Sequence, residues 1–216
     1  MSYDLHEAFS LDSFQTQLNF WDDFEGDSLK AIWTSTLVGG GTGAVIDAMD
    51  GGIFRLGTPT ASDESKLDWG GATPIRSLHV DKKVTMETKI RANGGVTDTI
   101  RYIMTLYFDA GNRIDFYHGV DSLDITIQCV NGGAPTSADS GINIDADYHV
   151  YRIECFPADE VHFYIDGVEC ANSPITTNIP DDAADYLMPR FYIATNADTD
   201  PATSMDVDYV AWGQLI

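Results

Sequence analysis

Basic residues are scarce in this chain. Its 216 residues include 12 Lys and Arg against 34 Asp and Glu, which gives a formal net charge of −22. So acidic a surface repels nucleic-acid phosphates and anionic lipid headgroups, and we predict neither nucleic acid nor membrane as a partner. The charge is compatible with simple solubility, with affinity for cations or basic partners, and with life in salty water. Solubility is the favoured interpretation.

Long apolar runs are also absent. No stretch approaches the ~20 apolar residues of a membrane helix. The opening sequence, MSYDLHEAFSLDSF, lacks the basic start and apolar stretch of a signal peptide. We therefore expect synthesis in a cytoplasm without a cleaved secretion signal.

Cysteine is rare, and no CxxC pair occurs. The three cysteines are Cys129, Cys155 and Cys170. An odd number in a chain without a secretion signal favours reduced, partly buried thiols. A bridge between Cys155 and Cys170 is the less favoured alternative, because disulfide geometry is strict.

Short alternating segments are abundant. Between Tyr148 and Cys170, apolar and polar residues alternate on both sides of a turn at 157–160, and Asp166-Gly167 is a two-residue turn that supplies positive φ. About a dozen such segments occur, with turn signals between them and neither a long helix nor an internal repeat. The pattern predicts one all-β sandwich domain over residues 20–216.

Residues 1–19 differ from the rest and are predicted to be an N-terminal arm. Its apolar residues are Phe9, Leu11, Phe14 and Leu18. They match neither a helical nor a strand period over the whole segment. The arm could fold back on its own domain or dock on a neighbour, and in the second case these four side chains are the assembly contacts.

Three segments resemble motifs of the concanavalin A-like lectin and glucanase superfamily. They are YHVYRI with HFYIDG at 148–153 and 162–167, DGGIFRL at 50–56, and VDYVAW at 207–212. The nearest members in character are laminarinase-type glycoside hydrolases and laminin-G-like binding modules. The resemblance spans about residues 20–216 and implies a jelly-roll sandwich of two antiparallel sheets. It implies less about function, because this fold carries enzymes, lectins and structural modules.

The hydrolases of this superfamily carry an ExDxxE or ExDxE signature, whose carboxylates share one strand face and act as nucleophile and general acid. The matching stretch here, Asn112–His118, keeps only Asp115. Arg113 stands at the first acid, and Tyr117 or His118 at the last. A cation beside Asp115 is expected to lower the pKa of its carboxyl and make it a poor proton donor. We therefore predict that the chain is not an enzyme.

The resemblance also implies a calcium site, although no cofactor is required for folding or function. In similar hydrolases an Asp of the closing strand and nearby backbone carbonyls hold a structural calcium ion. The matching groups are Asp208 and the carbonyl of Gly52. The alternative, that Asp208 is a solvated strand residue, is slightly favoured.

Saccharide binding on the concave sheet would need exposed aromatic residues. The candidates are Trp69, Tyr107 and Tyr117. Trp69 stands beside two glycines and could be a platform on which a sugar stacks. The favoured alternative is a loop tryptophan that closes the edge of the sandwich.

Three functions remain open. The lost acid pair, the apolar arm and the compact acidic module favour a non-enzymatic virion protein of a bacteriophage, which decorates the capsid or belongs to the tail. Its partners would be other virion proteins and further copies of itself, for example in a trimer. The second function is a carbohydrate-binding module that recognises polysaccharide. The third is a glycosidase or lyase, but Tyr117 and His118 would point to opposite faces of a strand.

Overall fold

The computed structural model describes residues 17–48, 51–60, 62–70, 78–79, 81–93, 100–119, 122–157, 159–181, 186–195 and 203–215. Within these ranges the chain forms strands, turns and bends, and no helix that could span a membrane is found there. The strands are β1 (Gln17–Asp22), β2 (Trp33–Val38), β3 (Thr42–Ala48), β4 (Gly51–Thr58), β5 (Glu64–Trp69), β6 (Leu78–His79), β7 (Val84–Asn93), β8 (Ile100–Asp109), β9 (Asn112–His118), β10 (Asp124–Asn131), β11 (Ala134–Asn143), β12 (His149–Phe156), β13 (Glu160–Ile165), β14 (Val168–Glu169), β15 (Tyr186–Thr195) and β16 (Thr203–Leu215).

The strands form two sheets of eight. The first sheet has the order β14-β13-β12-β7-β16-β4-β3, and β1 also pairs with β16. The second sheet has the order β11-β10-β9-β8-β15-β5-β2, and β6 also pairs with β15. The pairings within both sheets are antiparallel. The predicted two-sheet antiparallel sandwich is confirmed, including the hairpin strands β12, β13 and β14.

The sandwich begins earlier than the sequence suggested. β1 starts at Gln17, and Leu18 pairs with Gln214 of β16. Leu18 therefore belongs to a sheet strand, whereas the boundary predicted at residue 20 placed it in the arm. The other predicted assembly contacts, Phe9, Leu11 and Phe14, lie outside the described residues.

Period-two alternation builds the core between the sheets. In β4, β5, β13 and β15, buried residues alternate with partly exposed ones over most of the strand. Alternate side chains of a strand point to opposite faces, so each strand contributes one apolar row to the space between the sheets. The opposite rows carry most of the polar groups. The amino-acid pattern therefore fixes which residues each sheet presents outward.

Three tryptophans connect the two sheets at one end of this core. Trp69 of β5 packs edge-on against Trp33 of β2 and Trp212 of β16, with ring centroids 5.1 and 5.3 Å apart. Such contacts add roughly 0.5–1.5 kcal/mol each beyond the burial of apolar area. Trp69 is only 2% exposed, so its prediction as a sugar-stacking platform was wrong. It is the last residue of a strand whose alternation turns it inward.

The cysteines were predicted to be reduced and partly buried, and the structure buries all three. Cys129, Cys155 and Cys170 are all free and buried. Burial raises the pKa of the Cys155 thiol to about 12, and it raises the pKa of Cys129 further still. These thiols are therefore protonated and pack as small apolar groups.

A buried carboxylate organises the turn between β1 and β2. The side chain of Asp22 is fully buried. Its Oδ2 accepts a hydrogen bond from the indole Nε1 of Trp33 at 2.8 Å, and its Oδ1 accepts from Lys30 Nζ at 2.6 Å and from the Phe24 backbone N–H at 2.9 Å. One carboxylate thus satisfies three donors, including that of a core tryptophan.

Asp22→Ala should destabilise the chain by about 2–4 kcal/mol, because it leaves the buried N–H groups of Trp33 and Phe24 without their acceptor. The measurement is urea unfolding followed by circular dichroism. Asp208→Ala is the control, because the Asp208 side chain is partly exposed where that of Asp22 is fully buried, and its pair with Lys89 should be worth no more than about 1 kcal/mol. Equal losses of unfolding free energy in the two variants would contradict the stabilising role given to the buried Asp22 carboxylate.

Two histidines at the outer edge of the first sheet are each held between two carboxylates. His149 Nδ1 lies 2.6 Å from Asp166 Oδ2, and its Nε2 lies 3.0 Å from Asp145 Oδ1. His162 is held in the same way by Glu169 and Glu160. A carboxylate can only accept, so both ring nitrogens must carry a proton. Partial burial lowers the pKa of each histidine, but the hydrogen bonds and charges of the carboxylates outweigh it, and both pKa values are raised.

A raised histidine pKa stabilises the fold below the pKa of the unfolded chain, near 6.5, and this contribution is lost as the pH rises through the folded value. The free energy of unfolding should therefore fall as the pH is raised above about 6.5. In the double variant His149→Gln, His162→Gln the fall should be smaller. Urea unfolding at several pH values from about 6 to 9 measures both slopes, and identical slopes would show that the two histidines do not contribute.

Candidate functional site

A groove of about 290 Å³ lies on the outer face of the second sheet. Its lining comes from strands β5, β8, β9 and β15 and from the turn between β8 and β9. The lining residues are Lys66, Thr105, Tyr107, Ala110, Arg113, Asp115, Arg190 and Tyr192. Four neighbouring strands at the centre of the sheet thus form one polar and aromatic depression, called the groove below.

Strand register brings these residues together. Asp115 of β9 lies opposite Thr105 of β8, and Thr105 lies opposite Arg190 of β15. One row further, Tyr192 lies opposite Lys66 of β5. Cross-strand partners share a face of the sheet, so these side chains stand side by side. A register slip of one residue would point the apolar core side chains outward into the groove. The slip is prevented because those side chains must stay buried between the sheets.

Asp115 is the centre of the groove. It is only 2% exposed, and its Oδ2 accepts a hydrogen bond from Arg113 Nε at 2.7 Å. Its Oδ1 is buried and has no hydrogen-bond partner among the described residues. A carboxylate oxygen without a donor is costly to bury. Asp115 therefore has an unused acceptor, or a site for a proton.

Burial raises the pKa of Asp115 to about 6, although the Thr105 hydroxyl and the Arg113 guanidinium oppose the shift. The sequence-based expectation that the neighbouring cation would lower this pKa was therefore wrong. Loss of hydration outweighs the attraction of Arg113, because the carboxyl group lies almost wholly out of water. Near neutral pH a minor fraction of Asp115 stays protonated, and this fraction grows as the pH falls.

Hydrogen bonds extend from Arg113 across the next two strands. Arg113 donates from an Nη atom to Gln128 Oε1 at 3.0 Å, and Gln128 Nε2 donates to Ser137 Oγ at 2.5 Å. The other Nη atom donates to the Ala110 carbonyl. Arg113 is thus held in a fixed orientation beside Asp115, with three of its five N–H donors engaged.

On the opposite side of the groove, two cations lie over two tyrosine rings. The Arg190 guanidinium lies 3.5 Å from the centroid of Tyr107, and its Nε donates to Asp68. Lys66 Nζ lies 5.2 Å from the centroid of Tyr192, and 2.9 Å from a carboxylate oxygen of Glu64. Cation–π contact and an ion pair orient each cation. The Arg190–Tyr107 stack forms a flat surface beside Asp115.

Only one of the three predicted saccharide contacts reaches the groove. Tyr107 lines it, whereas Trp69 lies in the core. Tyr117 faces outward on β9, two residues beyond Asp115, but it does not line the groove. It lines a separate cavity of about 40 Å³. His118 is 1% exposed and faces the core, so Tyr117 and His118 do point to opposite faces.

Asp208, the predicted side-chain ligand of calcium, is paired with a lysine. Asp208 Oδ2 lies 2.5 Å from Lys89 Nζ, so an ammonium group already occupies the position of a metal ion at this carboxylate. Within the described part of the chain, no cluster of three or more His, Cys, Asp or Glu side chains could hold a metal. The Gly52 backbone approaches the Phe24 carbonyl closely. The calcium site remains a prediction from the resemblance.

Lys66, Gln128, Arg190 and Tyr192 were not identified from the sequence. Alternation in β15 could have placed Arg190 and Tyr192 together on the outer face. Nothing in the local pattern indicates that β15 lies between β8 and β5, however, because register between distant strands is a property of the folded chain.

Titration of Asp115 can be measured directly. Its carboxyl carbon should titrate in NMR spectra with a midpoint near pH 6, and a midpoint near 4 would contradict the burial argument. Since the unfolded carboxyl ionises near 3.8, the free energy of unfolding should fall as the pH rises from about 4 to about 6. Asp115→Asn should remove this slope, and Asp124→Asn, at an exposed position, should leave it unchanged.

No family model matches the chain, and no curated protein matches its sequence. Solved structures are similar in fold. A Shewanella oneidensis MR-1 protein of unknown function aligns with a TM-score of 0.66 at 9% identity, over 99% of this chain and 95% of that chain. A Bacteroides ovatus mixed-linkage glucan GH16 protein in complex with a G4G4G3G product aligns with a TM-score of 0.64 at 16% identity, over 88% and 98%.

The carbohydrate recognition domain of Emp47p aligns with a TM-score of 0.61 at 12% identity, over 92% of this chain and 95% of that chain. At such low identities the likeness shows the fold alone. It agrees with the sandwich of two antiparallel sheets described above. The chain has the concanavalin A-like jelly-roll fold.

Proposed function

We propose that this chain binds carbohydrate and that the saccharide lies in the groove on the outer face of the second sheet. The observation that carries the proposal is the unpartnered, buried Oδ1 of Asp115, which lies in a depression beside tyrosine rings and fixed cationic donors. Sugar hydroxyls donate to carboxylates and accept from guanidinium and ammonium groups, and the C–H face of a sugar packs on an aromatic ring. The groove offers all three kinds of contact.

Each contact has a defined donor or surface. A sugar hydroxyl would donate to the carboxyl group of Asp115, and a rotation of this side chain would bring the now buried Oδ1 to the groove. Lys66 and Arg190 would donate to ring or hydroxyl oxygens. The Arg190–Tyr107 stack would support the apolar face of a sugar ring. These side chains are already held by ion pairs and hydrogen bonds, so little side-chain freedom is lost on binding.

The arrangement of carboxylates supports binding without hydrolysis. Hydrolysis by the two-carboxylate mechanism needs the groups about 5–5.5 Å apart for retention, or about 6.5–9.5 Å apart for inversion. Asp68 faces the same side of the sheet as Asp115 but lies three strand spacings away, which corresponds to ~14 Å. Arg113 occupies the position at which the related hydrolases carry an acid. We therefore propose a binding protein and not a glycosidase.

Proteins of the same fold support a saccharide as the ligand class. The aligned structures include a GH16 protein with a bound product and a carbohydrate recognition domain. The sequence also led us to predict a virion role, a virion location and a homo-oligomer. These three remain predictions.

Tyr107→Ala should weaken polysaccharide binding about tenfold, because it removes the ring that supports a sugar and the Arg190 guanidinium. The measurement is affinity electrophoresis against a panel of soluble plant and microbial polysaccharides, followed by calorimetry with oligosaccharides of those that retard the protein. Tyr164→Ala is a matched control, because Tyr164 also lies under an arginine, with Arg152 at 4.2 Å, but on the first sheet.

Thermal unfolding of both variants controls for loss of structure. The control should bind as the unaltered chain does. Failure of the unaltered chain to bind any polysaccharide of the panel would contradict the proposed function. Equal losses of affinity in the two tyrosine variants would show that the saccharide does not bind in the groove.

A further inference from the structure

We propose that the saccharide bound in the groove is anionic, and that its carboxylate or sulfate group is held by Lys66, Arg113 and Arg190. The inference rests on the proposed function and specifies the ligand class of the same site. It predicts preference for an acidic glycan over a neutral glycan with the same backbone.

The distribution of charge is the first argument. The whole chain carries about three acidic residues for each basic one. The lining of the groove inverts this ratio, because it contains Lys66, Arg113 and Arg190 but only one acid, Asp115. These three are also the only basic residues among the described side chains of the second sheet. With the carboxylates that pair with these cations, the groove and its rim are close to neutral, so an anion is repelled less here than by the acidic protein as a whole.

The position of the counter-charges is the second argument. Lys66 and Arg190 pair with Glu64 and Asp68, which are outside the lining of the groove. These carboxylates fix the positions of the two cations without lining the groove themselves. Arginine has five N–H donors and lysine three, so donors remain available to a ligand after each pair has formed. Guanidinium groups in a fixed orientation bind carboxylate and sulfate groups well, because their planar forks match paired oxygens.

The protonation state of Asp115 decides whether Arg113, the third cation, can bind an anionic ligand. It is faced by Arg113 of β9, Thr105 of β8, Gln128 of β10 and Arg190 of β15. Ionised Asp115 competes with an anionic ligand for Arg113, whereas protonated Asp115 does not. Burial already brings the pKa of Asp115 to about 6. An anion in the groove would raise it further, so binding should be accompanied by proton uptake.

The test compares oligosaccharides that differ only in charge. Cello-oligosaccharides and their C6-oxidised cellouronate counterparts form one pair, and oligogalacturonates and their methyl esters form another. Calorimetry on the full chain measures each affinity at about pH 7.5 and about pH 5. The charged member of a pair should bind at least about tenfold more tightly than the neutral member, and its affinity should rise at the lower pH. Added salt should weaken only the charged member.

A matched pair of lysine variants locates the effect. Lys66→Gln should reduce the affinity for the charged oligosaccharide several-fold more than that for the neutral one, because the glutamine amide can still donate a hydrogen bond but carries no charge. Lys89→Gln is the control, because Lys89 also pairs with one carboxylate and lies 5.0 Å from the centroid of one tyrosine ring, but on the first sheet. Both lysines are partly exposed, so neither substitution should prevent folding.

The outcomes separate the two proposals. Preference for the charged member, lost in Lys66→Gln and kept in Lys89→Gln, supports the anionic ligand. Equal binding of charged and neutral members, or preference for the neutral member, overturns this inference and leaves the proposed function intact. Absence of binding to both pairs and to the polysaccharide panel contradicts both proposals.

Discussion

Burial of the two inner sheet faces against each other is the constraint on which the rest of this structure depends. Alternate residues of each strand must fill the space between the sheets, so the remaining residues are forced outward. On the second sheet this places Asp115, Thr105 and Arg190 in one row across three strands. The groove is therefore a consequence of core packing. A change that shifted the register of β8 or β15 would abolish it without altering any groove residue.

The groove combines two opposed effects on one carboxyl group. Arg113 stabilises the ionised form of Asp115, whereas burial destabilises it. The effect of burial is the larger one, so the pKa of the carboxyl group is raised. The result is an acid that can exchange its proton near neutral pH although a guanidinium group lies beside it. Such a balance is common at functional sites, where structural demands alone would favour a fully paired or an apolar side chain. The buried Oδ1 without a hydrogen-bond partner shows the same excess of burial over stabilising contacts.

Much of the fold could be predicted from the sequence, but only part of the site. Alternation and the Asp166-Gly167 turn are local signals, and they were sufficient for the hairpin β12–β13–β14 and for the two-sheet architecture. Trp69 was misplaced because its burial depends on Trp33 and Trp212, which belong to other strands. The pair Arg190–Asp68 joins residues 122 positions apart. Such pairs, and the burial that shifts the pKa of Asp115, exist only after the sheet has formed.

The placement of the tryptophans has a spectroscopic consequence. Trp33, Trp69 and Trp212 lie within a few ångströms of one another between the sheets, and Trp21, the fourth, is 40% exposed and stacks on Tyr209 of the first sheet. None of the four lines the groove, whose aromatic residues are tyrosines. Indole emission from this chain therefore reports on separation of the sheets and on the β1 surface. A ligand could fill the groove while the fluorescence spectrum stayed almost unchanged, so a screen based on tryptophan quenching would overlook it.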